Sequence, residues 1–116
     1  MAAAWESLHQ AALEIASADP VKQRVTNAFS KYLEELDVTS LPTELRPRYA
    51  ELVARLTSVR PLRGETAVAA TVRKMSNEDA AVCAQLIVEL LADAASARTP
   101  AVTRSRPQLS VYAAEA

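Results

Sequence analysis

The sequence predicts an all-α fold: a four-helix bundle with a short additional helix before the last helix and an extended C-terminal tail. Three observations predict it. Gly64 is the single glycine among 116 residues, and β-rich folds need glycine at hairpins and bulges. Apolar residues return at steps of three and four along most of the chain, the spacing of one helix face. The segments so marked stop at turn or capping signals, such as Asp19-Pro20 and Ser76-Asn77-Glu78-Asp79. Half the residues are apolar, enough for one core in a chain near the common domain size. Residues 1–97 are expected to form the bundle domain, and 98–116 a flexible or partner-bound tail.

The first helix is expected over 3–17, with Trp5, Leu8, Ala12 and Ile15 on one face and Leu13 and Ala16 widening it. Asp19 is placed to cap the next helix through its carboxylate, with Pro20 at the first helical position. The second helix, 20–37, aligns Val21, Val25, Ala28, Tyr32 and Leu36, with Phe29 and Leu33 as a strip beside them. Asp37 to Ser40 closes it with polar turn residues.

The third helix carries Leu45, Tyr49, Leu52, Leu56 and Val59, starting at 42–44 and ending near Ser58. That start leaves Pro47 within the first turn, where it removes no hydrogen bond; the alternative is a short turn at 42–46 and a helix starting at Pro47. The stretch from Ser58 to Gly64 reads as a loop. Val68, Val72 and Met75 mark the short helix within 65–75. Ser76, with an acid three residues on, resembles a capping box opening the last helix, 77–97. Ala80, Cys83, Ile87, Leu90 and Ala94 fill one face of that helix, Val82, Leu86, Val88 and Leu91 extend it, and only Gln85, Glu89 and Asp93 keep a polar line. It is expected to be covered on most sides, by the bundle or by a partner. No internal repeat is present.

Composition removes several classes of chemistry. One Cys and one His cannot build a zinc site, and one Cys cannot form an internal disulfide. A phosphate-cradling loop needs more glycine than Gly64. No catalysis, cofactor, metal or small-molecule substrate is expected. His9, at the edge of the first stripe, reads as a boundary histidine, and Cys83, two turns inside the last helix, as a small buried hydrophobe. Glu89 and Asp93 lack the Glu-x-x-His motifs of carboxylate metal bundles and read as a solvated edge or an acceptor for arginines. An enzymatic reading has only His9 or that acidic row to work with. Trp5, Phe29, Tyr32 and Tyr49 all lie on apolar stripes and read as core. The N-terminus lacks the pattern of a secretory signal, and no uninterrupted apolar run approaches the ~20 residues that cross a bilayer, so a soluble, cytoplasmic protein is expected. Ala richness and ten Arg against three Lys point to a GC-rich bacterial source.

The near-neutral net charge of −1 conceals segregation. Residues 1–41 carry three basic and six acidic side chains, 42–74 seven and three, 75–97 four acids and no base, and 98–116 three Arg and one Glu. In the basic middle, Glu44 with Arg48 and Glu51 with Arg55 have the favourable acid-first i, i+4 order and are expected to pair. Arg46, Arg60, Arg63, Arg73 and Lys74 remain, around the Gly64 loop, as candidate contacts to phosphate or an acidic partner. The competing reading pairs them internally with the acidic last helix. In the tail, Leu109, Val111 and Tyr112 are candidate hydrophobic anchors.

These features support a non-catalytic assembly or adaptor subunit of a larger intracellular complex, with a protein partner or self-association and no membrane partner. In size and helical class the chain also resembles the small α-helical subunits of CRISPR effector complexes, which line the complex and help hold nucleic acid. That resemblance implies phosphate contacts by Arg60, Arg63, Arg73 and Lys74, assisted by Arg46. A small inhibitor or antitoxin-like interaction protein is a third reading.

Overall fold

The structure, a computed structural model, describes residues 3–98. Those residues are all-α and contain no strand. Five α-helices follow in order: α1 (Ala4–Ile15), α2 (Val21–Ala28), α3 (Arg46–Leu56), α4 (Ala67–Lys74) and α5 (Asn77–Arg98). A π turn, Phe29–Leu33, extends α2, and two 3-10 turns, Val38–Ser40 and Thr43–Leu45, lead into α3. The expected tail, with Leu109, Val111 and Tyr112, lies outside the described residues.

α1 buries Ala4, Leu8, Ala11 and Ile15. The expected face is therefore rotated. Trp5 and Ala12 are only half-buried, Ala16 is exposed, and Leu13 stands 54% exposed opposite the core. α1 packs on both α5 and α2, with small Ala4 and Ala11 buried and Leu13 facing out. Two long-range bonds hold the ends of α1. The Ser40 hydroxyl accepts from the Ala4 N–H at 2.9 Å and donates to the Asp37 carbonyl at 2.8 Å. Arg24 donates to the carbonyls of Ile15 (2.8 Å) and Asp19 (2.7 Å), satisfying groups a helix end leaves open. The Asp19 carboxylate does not cap α2. Pro20 occupies the cap position in an extended conformation, and no side-chain bond is made there.

The second helix departs from the expected register. The Glu34 N–H reaches back five residues to the Phe29 carbonyl at 2.9 Å, the signature of a π turn. One extra residue in that turn slips the buried face by one position. Leu33 takes the inward place that spacing assigned to Tyr32, which is half-buried, and Phe29 is almost wholly buried. The Tyr49 hydroxyl of α3 donates to the Leu33 carbonyl, so this turn is also tied across the core. Burial pushes the Tyr49 phenol above its ordinary range, with Glu34 adding to the effect.

Asp37 ends this segment by accepting from the Thr39 N–H at 3.0 Å and from the Thr39 hydroxyl. The Thr43–Leu45 3-10 turn and a helix beginning at Arg46, with Pro47 in its first turn, match the alternative start of the third helix better than the first. α3 buries Tyr49, Leu52 and Leu56 and stops before Thr57. Val59 is half-buried in the loop beyond.

α4 lies within the expected short helix of 65–75, with a cap that spacing did not mark. The Thr66 hydroxyl caps it by accepting from the Ala69 N–H at 3.1 Å. Thr71, the buried polar residue of α4, donates to the Ala67 carbonyl and accepts from the Val59 N–H, binding the loop to the helix. Ser76 caps α5 through the Asp79 N–H at 3.0 Å. The core stripe of α5 is the expected one, Ala80, Cys83, Ile87, Leu90 and Ala94, all buried.

The rest of α5 is not covered as expected. Val82 and Val88 are 41% and 45% exposed, and they stand on either side of the exposed Gln85 and Glu89. The reason is architectural: α1, α2 and α3 cover one side of α5, and among the described residues no element lies on its outer side. By length and composition alone, Asn77–Ala97 is apolar enough to cross a membrane, with mean hydropathy 1.6 and a third of that window buried. Sequence reasoning rejected such a span because Glu89 interrupts the run. The core stripe and the outer valines together raise the average, and a core helix of a packed domain passes the same test.

Candidate interaction surfaces

The basic middle of the chain separates into engaged and outward side chains. Arg46 is engaged: its guanidinium donates to the carbonyls of Leu41 and Thr39, both at 3.2 Å, and braces the 3-10 turns. Arg73 is engaged too, in a two-bond pair with Glu65 at 2.8 and 3.1 Å. Glu65 in turn accepts from the Leu62 N–H at 3.1 Å and so closes the loop. The Arg73 bonds foremost, then the Leu62 N–H, hold the Glu65 carboxyl below its ordinary range. Gly64 sits in this loop at φ +79° with no atom within 4 Å of a Cβ position, so conformation and not crowding selects glycine.

Arg60, Arg63 and Lys74 are exposed and form no ion pair among the described residues. Of the five candidates, these three remain available to a partner. The expected internal pairings are only half realised. Glu51 and Arg55 pair at 3.6 Å, but Arg48 leaves Glu44 and pairs with Asp93 of α5. A cross-helix carboxylate held by the packing of α3 on α5 competes with an exposed neighbour one turn away. Asp93 is thus an arginine acceptor, one of the two roles the sequence assigned it.

A prediction follows for the loop. The depressed Glu65 carboxyl contributes stability above its unfolded pKa and loses it as pH falls through the lower folded value. The Leu62 amide should keep its hydrogen-exchange protection at neutral pH and lose it only at pH below the ordinary glutamate range. In Glu65→Gln that acid step should vanish; a Leu62 amide indifferent to pH in the unaltered chain overturns the assignment.

The second surface is the outer side of α5 and its seam with α1. Ile15, Ala84, Gln85, Val88 and Glu89 line an open groove of about 320 Å³. Separately, Ala4, Trp5, Leu41, Pro42, Ala94 and Ala97 line a cavity of about 290 Å³ between the start of α1, the 3-10 turns and the end of α5. Sequence reasoning missed this groove, because it assigned Val88 to the covered face of the last helix. A third cleft, about 590 Å³ between α3 and the start of α5, holds Glu51, Arg55, Asp79 and Cys83. Burial pushes the Cys83 thiol up, away from the thiolate that a nucleophile needs. His9 is exposed, its ring 6.5 Å from that of Trp5. Among the described residues, no three His, Cys, Asp or Glu side chains gather to hold a metal ion.

No protein-family model, curated protein or solved structure matches this chain. The surfaces themselves are therefore the ground for a functional reading.

Proposed function

We propose that the chain is a non-catalytic helical assembly or adaptor subunit of a larger cytoplasmic complex. The fold is read as a four-helix bundle of α1, α2, α3 and α5, with α4 as the short addition and 98–116 as a separate tail. The observation that carries this reading is the outer side of α5, where Val82 and Val88 stand exposed on a helix whose other side already fills the core. Apolar surface beyond what one core uses marks a protein-contact site. A protein partner or a second copy is proposed, and no membrane partner, because α5 spends its apolar stripe on α1 and α2. The test compares the full chain with a Val82→Glu/Val88→Glu variant by sedimentation and by capture of host proteins. Self-association or a defined partner should be retained by the unaltered chain and lost in the variant. A monodisperse monomer that captures nothing sinks the reading.

A second reading, nucleic-acid backbone binding within a ribonucleoprotein, is favoured by the three outward cations of the loop region, Arg60, Arg63 and Lys74. Arg73 leaves that set because Glu65 neutralises it. Affinity for single-stranded RNA should weaken with salt, and Arg60→Ala/Arg63→Ala/Lys74→Ala should lower the slope of log affinity against log salt by about two. No binding at low salt, or an unchanged slope, removes this reading. The inhibitor or antitoxin-like reading is kept as a variant of the protein-contact proposal, with the same α5 surface.

A further inference from the structure

We propose that the loop 58–64 of one chain docks on the α1/α5 groove of a second copy, with Leu62 against the apolar walls and the flanking arginines toward Glu89. The inference rests on the reading of the α5 side as a protein contact, and it names what that side takes. Leu62 is 65% exposed, more than any other large apolar side chain among the described residues. Its backbone is already satisfied within the loop. Its N–H donates to the Glu65 carboxylate at 3.1 Å, and its carbonyl accepts from the Glu65 N–H at 3.0 Å. Glu65 is held by Arg73, and the Val59 N–H is bound to the Thr71 hydroxyl at 3.0 Å, so both flanks of the loop are tied to α4. A side chain displayed by an ordered loop docks at little further entropic cost. Arg60 and Arg63 stand exposed on either side of it in sequence, with no ion pair among the described residues.

The groove complements the loop in shape and charge. Ile15, Ala84 and Val88 supply aliphatic walls, and Glu89 supplies a carboxylate with no ion pair among the described residues. Charge also decides against the symmetric alternative. Between residues 75 and 97 the chain carries Glu78, Asp79, Glu89 and Asp93 and no base, so two α5 sides laid together would set acid against acid. The loop brings base to acid instead. Nucleic-acid phosphates would engage the arginines but give Leu62 nothing to bury against. The groove is lined by α1 and α5 alone, so the contact runs head to tail, from the loop of one copy to the groove of the next. A contact of that kind adds copies unless its rotation closes a ring. It is also small, so a dissociation constant of roughly 0.1 mM is expected, and chains at about 1 μM are separate. Val88 is then uncovered in dilute solution and covered only in the assembly.

The test uses three full-length chains: the unaltered one, Leu62→Asp and Val88→Glu, both changes falling at exposed positions. They are sedimented at about 1 mM, above the expected dissociation constant. The unaltered chain should associate past the dimer, and each variant alone should be monomeric. An equimolar mixture of the two variants should form a dimer and stop there, because one chain keeps only its groove and the other only its loop. A mixture that stays monomeric overturns the proposal. So does a Leu62→Asp chain that associates as the unaltered one does; if Val88→Glu abolishes that association, the α5 side remains a contact and only the loop is excluded as its counterpart. An unaltered chain that is monomeric at this concentration, yet captures a host protein through α5, overturns the second copy and leaves the adaptor reading standing.

Discussion

Phe29→Ala should destabilise the protein by about 3–5 kcal/mol, read as a lower urea midpoint at unchanged slope. Phe29 is 1% exposed and is the largest of the fully buried side chains. It also opens the π turn, whose bond from the Glu34 N–H ends on its carbonyl. Truncation removes a ring from a site where α1 and α2 meet the turn, and backbone tied to Tyr49 cannot easily close the space. Phe29→Leu keeps most of the volume and should cost less than half as much. A loss below about 1.5 kcal/mol for the alanine variant, the range of tolerated core swaps, would mean that the ring is not central to the core.

The second large effect is a contrast between neighbours. Ile87 is 0% exposed and Val88 is 45% exposed. Ile87→Ala should cost about 2–5 kcal/mol, and Val88→Ala about 0.5 kcal/mol or less. The same measurement on both variants reports how α5 divides between core and outer side. Similar losses at the two positions would place Val88 inside a covered environment and contradict the open seam.

Much of the fold was legible because local signals and packing agree. Thr66 and Ser76 cap their helices through hydroxyls, and the core stripe of α5 falls on steps of three and four. Ser76 was read from its spacing to Asp79; Thr66 was visible in the same way but was not singled out. The failures have separate causes. Periodicity assumes a fixed 3.6-residue turn, and the π turn at Phe29–Leu33 breaks that assumption with no proline or glycine to announce it. Leu13 misled because it is apolar and next to a real stripe, yet points away from the core. For the charged residues, the i, i+4 rule found Glu51 with Arg55 but could not foresee that Asp93, 45 residues away in sequence, would take Arg48. Nor could composition tell that Arg46 and Arg73 serve the loops while Arg60, Arg63 and Lys74 face outward.

Trp5 is the one tryptophan of the chain, and it stands half-buried where the first turn of α1 meets the end of α5. That position gives the protein a built-in optical probe. Its emission wavelength reports how dry that cavity is, with no label attached and no second indole to subtract. Any occupant that closes over Ala97 and Pro42 should shift that emission to the blue, so this end of the molecule can be followed in dilute solution.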